Sequence, residues 1–182
     1  MSRYLRFWIV SILILIADQW TKTWVVEHAV ELRRNPIVVI DAIEGNPAFL
    51  EFTYVTNPGA AWSLFSDYPE ALTLLASFAL VSIFLFRKHL ELERHMLQIV
   101  FGLIGGGIAG NLGDRLFREP AEVVDFIDVY LPIINYDYPI FNIADSAIFI
   151  GAILSFFQKS QNQETLNYGS LFLMKNLIPT LE

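Results

Sequence analysis

Cysteine is absent from all 182 residues. Disulfides, thiolate nucleophiles, iron–sulfur clusters and cysteine-ligated zinc are thereby excluded. Histidine occurs at His28, His89 and His95 alone, with no pair spaced as in HExxH, so a zinc site of that kind has no support. Charge is scarce: Asp, Glu, Lys and Arg make up 17% of the chain, against about a quarter in an average soluble domain. Basic charge is scarcer still, with 12 Lys and Arg against 19 Asp and Glu, a net charge of −7. That balance argues against nucleic-acid binding, which needs a basic footprint. A hydrophobic share of 54% argues against a disordered chain. No internal repeat or low-complexity run is present.

What remains is largely apolar. Four stretches read as membrane spans, at residues 7–26, 71–86, 96–111 and 140–158. A span needs about 20 residues of helix, so the second and third draw on flanking residues. Arg3 and Arg6 before the first run resemble a secretory signal, but Asp18, Gln19, Trp20, Thr21 and Lys22 follow it, not a small-residue cleavage site. The first run is therefore expected to stay as a helix. Basic residues mark the cytoplasmic side. Arg3 and Arg6, then Arg87, Lys88 and Arg94, then Lys159 and Lys175 fall on one side of a four-span chain. Most of the acid falls in the other connections, 27–70 and 112–139.

The expected fold is thus a mainly α membrane protein with four transmembrane helices and both termini cytoplasmic. Residues 1–158 form the domain, and 159–182 a cytoplasmic tail. The run FLEFTYV at 49–55, rich in β-branched and aromatic residues and followed by Asn57-Pro58-Gly59, predicts a small extracytoplasmic β-containing region.

Ionisable and amide groups at the edge of a span are costly and mark function or a specific contact. Asp18 and Lys22 lie at i and i+4 on one helix face and can pair, as a structural ion pair or toward a substrate. Asn111, Asp114 and Arg115 follow three glycines at 105–107. Arg115 suits headgroup anchoring or forked hydrogen bonds to a carboxylate or phosphate. Asn142 and Asp145 share a face at the start of the fourth span. Asp145 needs a partner, and Asp125 or Asp128 in VVDFIDVY can supply it. Two carboxylates brought together share one proton and form an acid and a base in one unit. A proton or ion relay, or a helix N-cap by Asn142 or Asp145, would use the same residues.

These residues fall in five motifs: DQxxK from Asp18, NPGAAW from Asn57, GNLGDR from Gly110, VVDF from Val123 and FNIADSAI from Phe141. Their order and the four-span frame resemble the lipoprotein signal peptidase (signal peptidase II) family, over most of the chain. The resemblance implies an intramembrane aspartic endopeptidase of the bacterial inner membrane, its active site toward the extracytoplasmic side. Its substrates would be diacylglyceryl-modified prolipoproteins, cut just before the lipidated cysteine. By motif match Asp125 and Asp145 would be catalytic. Asn57, Gly59, Asn111, Arg115 and Asn142 would line or support the substrate cleft, with Asp18 and Lys22 structural or lipid-facing. No cofactor or metal is implied, since the carboxylate pair replaces a Lewis acid. Partners would be the lipoprotein substrates and membrane lipid, and the expected state is a monomer. The connection LFREPAE before VVDF is longer than the family pattern. A proton-coupled transporter using Asp145 and Asp18 is disfavoured by the lack of repeat symmetry. A non-catalytic lipoprotein-binding partner would tolerate loss of either aspartate.

Overall fold

The computed structural model describes residues 2–42 and 46–158. The expected tail at 159–182 lies outside the described residues. A 23-residue helix, α1 (Leu5–Glu27), opens the chain and contains neither proline nor glycine. It is followed by the short helix α2 (Ala29–Arg34). Strands β1 (Ile37–Ile40) and β2 (Leu50–Asn57) come next. Helix α3 (Pro69–Leu85) starts with proline, which has no N–H to leave unpaired in the first turn. Helix α4 (His95–Phe117) leads into strands β3 (Val123–Leu131) and β4 (Tyr136–Phe141). Helix α5 (Ile143–Gln158) ends the described chain.

Two of these helices, α1 and α4, are long and apolar enough to cross a membrane, while α3 and α5 are shorter apolar helices. Helix edges differ from the expected spans. Leu112–Phe117, placed in an external connection, continue α4 for nearly two turns. Ile140 and Phe141, placed in the fourth span, end β4. An apolar run has no mark where strand passes into helix; Asn142 makes that boundary.

Helix α4 is the central post. Gly102 meets Phe7 and Val10, and Gly110 meets Asp18, so α1 and α4 run parallel. A Cβ on Gly106 would lie 2.7 Å from the Ser11 carbonyl oxygen. Only glycine lets the backbones approach so closely. The Ser11 hydroxyl adds a hydrogen bond to the Gly102 carbonyl at 3.1 Å. Gly107 packs on Ala144, and Gly151 on Ile104 and Val100, so α5 runs antiparallel to α4.

The predicted β region is a four-stranded antiparallel sheet in the order β1-β2-β3-β4. Strand β2 takes up Leu50 to Val55 of the expected run, leaves Phe49 outside and continues to Asn57. The sheet packs where α1 ends: Val25 and Leu32 form one apolar cluster with Val124 and Phe126. Val123, Val124, Asp125 and Phe126 are all buried. The head of β3, an inner strand of the sheet, is therefore pressed against the ends of α1 and α4.

Candidate active site

Asn142 joins strand β4 to helix α5 and organises the site. Its side-chain Oδ1 accepts from the Asp145 backbone N–H at 2.9 Å. The Asp145 carboxylate accepts from the Asn142 backbone N–H at 3.2 Å. This reciprocal pair is a capping box, and it satisfies two groups that a helix start leaves open. The N-cap use of these residues and their shared site are therefore one arrangement. Asn142 Nδ2 then donates to Asp125 Oδ1 at 2.7 Å. One amide thus touches both carboxyl groups.

Strand pairing brings Asp125 its other partner. Val55 lies opposite Asp125, which puts Asn57 two residues along on the same face. Asn57 Nδ2 donates to Asp125 Oδ2 at 3.3 Å. Burial raises the Asp125 carboxyl from its ordinary 3.8 to about 7, with the Asp145 carboxylate adding to the rise. Asp128 stands three positions along β3, on the opposite face. Its neighbours are Glu51 across the strand pair and Asp137. The two aspartates that spacing alone left as alternatives thus have different partners, and Asp145 is beside Asp125, the one the motif match favoured.

Behind the carboxyl groups lies an ionic hub. Lys22 and Asp18 are wholly buried, as is Asp114. The Lys22 ammonium contacts Asp18 at 2.9 Å, Asp114 at 2.8 Å and Asn111 Oδ1 at 2.8 Å. Its three donors are all used. Asn111 passes this order forward, donating to Asp145 Oδ1 at 2.7 Å. Asp18 accepts from the Ala144 backbone N–H at 2.9 Å, adding to the capping of α5.

Asp114 has the widest reach: besides Lys22 it binds Arg118 at 2.7 Å, Gln19 at 3.0 Å and the Val124 backbone N–H at 3.2 Å. It fixes the long connection between α4 and β3 at both ends. Sequence reasoning noticed Asp114 only as a neighbour of Arg115. The i,i+4 spacing to Arg118 was the available signal.

Gly59 and Arg115 belong to the rim. Arg115 donates to the Gly59 carbonyl at 2.6 Å, while its Nε is buried without a partner among the described residues. The Gly59 N–H returns to Asn57 Oδ1 at 2.9 Å, closing an Asx turn. A Cβ on Gly59 would meet Leu64 and Ser66 at 2.7 Å. Beyond it, Trp62, Leu64 and Phe65 are exposed, and Trp62 reaches the Tyr136 hydroxyl at 3.1 Å. The structure therefore gathers Asp125, Asp145, Asn57, Asn111 and Asn142 around one point. Arg115 and Gly59 stand at its edge, and Asp18 and Lys22 behind it.

Two adjacent carboxyl groups, one on strand β3 and one in the first turn of α5, can act as acid and base toward a polar bond. Comparison with known proteins gives the chain a class. The family described as Signal peptidase (SPase) II matches residues 10–160. The lipoprotein signal peptidase of Bacillus subtilis is 36% identical over 152 residues, covering 84% of this chain and 91% of the relative. That of Anoxybacillus flavithermus is 35% identical over 150 residues, 82% of each. A bacterial membrane enzyme solved by the in meso method at 2.3 Å superposes with a TM-score of 0.72. It is 30% identical and covers 87% of this chain and 90% of its own. Fold, site and relatives together define a transmembrane peptidase. The chain belongs to the signal peptidase II family.

Proposed function

We propose that this protein is an intramembrane aspartic endopeptidase that removes the signal peptide from diacylglyceryl-modified prolipoproteins. It cuts just N-terminal to the lipidated cysteine. The observation that carries this reading is the Asn142 amide bound to Asp125 while its backbone N–H is bound to Asp145. That bridge holds two carboxyl groups at one point, with Asn57 and Asn111 bound to their other sides.

One carboxyl is ionised and the other protonated. Water lies between them and attacks the scissile carbonyl carbon as it gives a proton to the carboxylate. The tetrahedral intermediate collapses while the second carboxyl protonates the amide nitrogen. The C–N bond breaks, leaving a new carboxyl end and a free amine, and the pair again holds one proton. Asn142, Asn57 and Asn111 orient the carboxyl oxygens. Arg115 and Gly59 position the loop at 58–68 beside the cleft, which excludes water from the site.

The same reading takes α1, α3, α4 and α5 as four spans with cytoplasmic termini and the carboxyl pair at the extracytoplasmic boundary. The parallel course of α1 and α4 supports it, since Arg3, Arg6 and Arg94 at the starts of these helices lie together, away from the pair. Substrate acyl chains would then lie in the bilayer against the helices.

The test is cleavage of a diacylglyceryl prolipoprotein by purified protein in detergent, with folding followed by thermal unfolding. Wild type should cleave, and folded Asp125→Asn and Asp145→Asn should each be at least a thousandfold slower, as expected when either half of an acid–base pair is lost. Asp128→Asn should remain active. An active Asp125→Asn beside an inactive Asp128→Asn would transfer the role to Asp128.

A further inference from the structure

A cavity of about 490 Å³ opens where α1 and α4 begin, lined by Arg3, Leu5, Arg6, Glu93, His95 and Gln98. Because the two helices run parallel, it lies at the opposite end of the molecule from the carboxyl pair. Arg6 precedes Lys22 by about 24 Å of helix at 1.5 Å per residue, a distance comparable with the hydrocarbon thickness of a bilayer.

The walls are tied together. Gln98, only 3% exposed, donates from Nε2 to the Arg3 carbonyl at 3.0 Å. Arg3 pairs with Glu93 at 2.8 Å, which joins the start of α1 to the turn before α4. The other two donors in the lining, the Arg6 guanidinium and the His95 ring, have no hydrogen-bond or ion-pair partner among the described residues. Glu93 is the one carboxylate in the lining. Leu5 is half exposed at the wall, and Trp8, Ile9 and Ile12 continue an exposed apolar surface along α1.

We propose that this cavity binds the phosphate headgroup of an anionic phospholipid from the leaflet at this end of the molecule. Arg6 supplies a forked donor that fits a phosphodiester. Arg3 and His95 add donors, and the acyl chains follow Leu5 onto the apolar surface of α1. A lipid is favoured over free phosphate because the anion-binding wall continues directly into bilayer-facing side chains. The inference needs α1 and α4 to span the membrane; it does not need the peptidase reading.

The full chain would be placed in nanodiscs of phosphatidylcholine with and without phosphatidylglycerol, with retained lipid counted by native mass spectrometry. Phosphatidylglycerol should be retained in preference. Arg6→Gln should weaken that retention about tenfold, the effect of losing a hydrogen bond to a charged group. Lys88→Gln, an exposed cation outside the cavity, should leave retention unchanged. Glu93→Gln, which removes the like charge and releases Arg3, should strengthen it. Equal retention of the two lipids, or equal losses in Arg6→Gln and Lys88→Gln, would overturn the proposal. So would thermal stabilisation by inorganic phosphate equal to that by phosphatidylglycerol, which would assign the cavity to a free anion.

Discussion

Asp125 is held near neutrality by burial and by the neighbouring Asp145 carboxylate, and both stability and activity should reflect this. Its carboxyl is raised from 3.8 to about 7 in the folded chain. Between those values the native state keeps a proton that the unfolded chain has released. Stability from this group is therefore complete below about pH 4 and is lost as pH rises through about 7. At 1.36 kcal/mol per unit the loss is on the order of 4 kcal/mol. Asp125→Asn has no such proton to lose. It should unfold at a higher temperature than wild type at pH 8, with the gap closing toward pH 4, in parallel thermal melts. A gap independent of pH would contradict the raised carboxyl. On the same ground, wild-type cleavage should decline above about pH 7 as the pair loses its shared proton. The aspartates themselves were legible, because a carboxyl among apolar residues stands out. Spacing alone left Asp125 and Asp128 open, since that choice depends on which strand face meets α5; only the VVDF motif match favoured Asp125.

At the scale of elements, the start of α5 and the α1–α4 contact make separable demands. Asn142→Ala removes the cap to Asp145 and the bond to Asp125 together. A lost N-cap costs about 1–2 kcal/mol, so stability should drop by that amount and cleavage should fall as well. Asn142→Asp can still cap α5 but adds a third carboxylate beside two. It should melt closer to wild type than the alanine variant does, yet cleave poorly. Equal melting of the two variants would show that the cap contributes little. Adjacent glycines on α4 give a second contrast. An added Cβ at Gly106 meets Ser11 and Ile14 at 2.7 and 2.9 Å, while at Gly105 the nearest atoms are 3.6 Å away. Gly106→Ala should destabilise by about 1–3 kcal/mol. Gly105→Ala should be neutral or slightly stabilising, because alanine is the better helix former. Thermal unfolding in one detergent decides between them. The helices were legible from their apolar runs, and β2 from its β-branched and aromatic residues. Strands β3 and β4 were hidden because 112–139, rich in acid and proline, read only as an external connection. Helix α2 is too short to show a period.

For the molecule as a whole, Lys22 is the point where separate parts of the chain become one structure. It contacts α1 through Asp18 and α4 through Asp114 and Asn111. Asp114 continues to the backbone of β3, and Asp18 to the backbone of α5. The formal charges balance, with Lys22 and Arg118 against Asp18 and Asp114. The i,i+4 pairing of Asp18 with Lys22 could be read from spacing alone. The contact with Asp114 could not, since it spans 92 positions and exists only once α1 and α4 are aligned. A balanced buried cluster is weak ground for net stability, but breaking it is costly. Lys22→Met would leave two carboxylates facing each other out of water, at a cost of about 3–5 kcal/mol. That variant should melt far below wild type. Adding Asp114→Asn to it removes one uncompensated charge while keeping an acceptor for Gln19 and Val124, so part of the loss should return. The double variant should regain more of its melting temperature than of its cleavage rate. Asn111 has lost the cation that fixed it beside Asp145, and that defect remains after the charges are rebalanced. If the double variant melts no higher than Lys22→Met, the hub acts through the shape of the lysine rather than its charge.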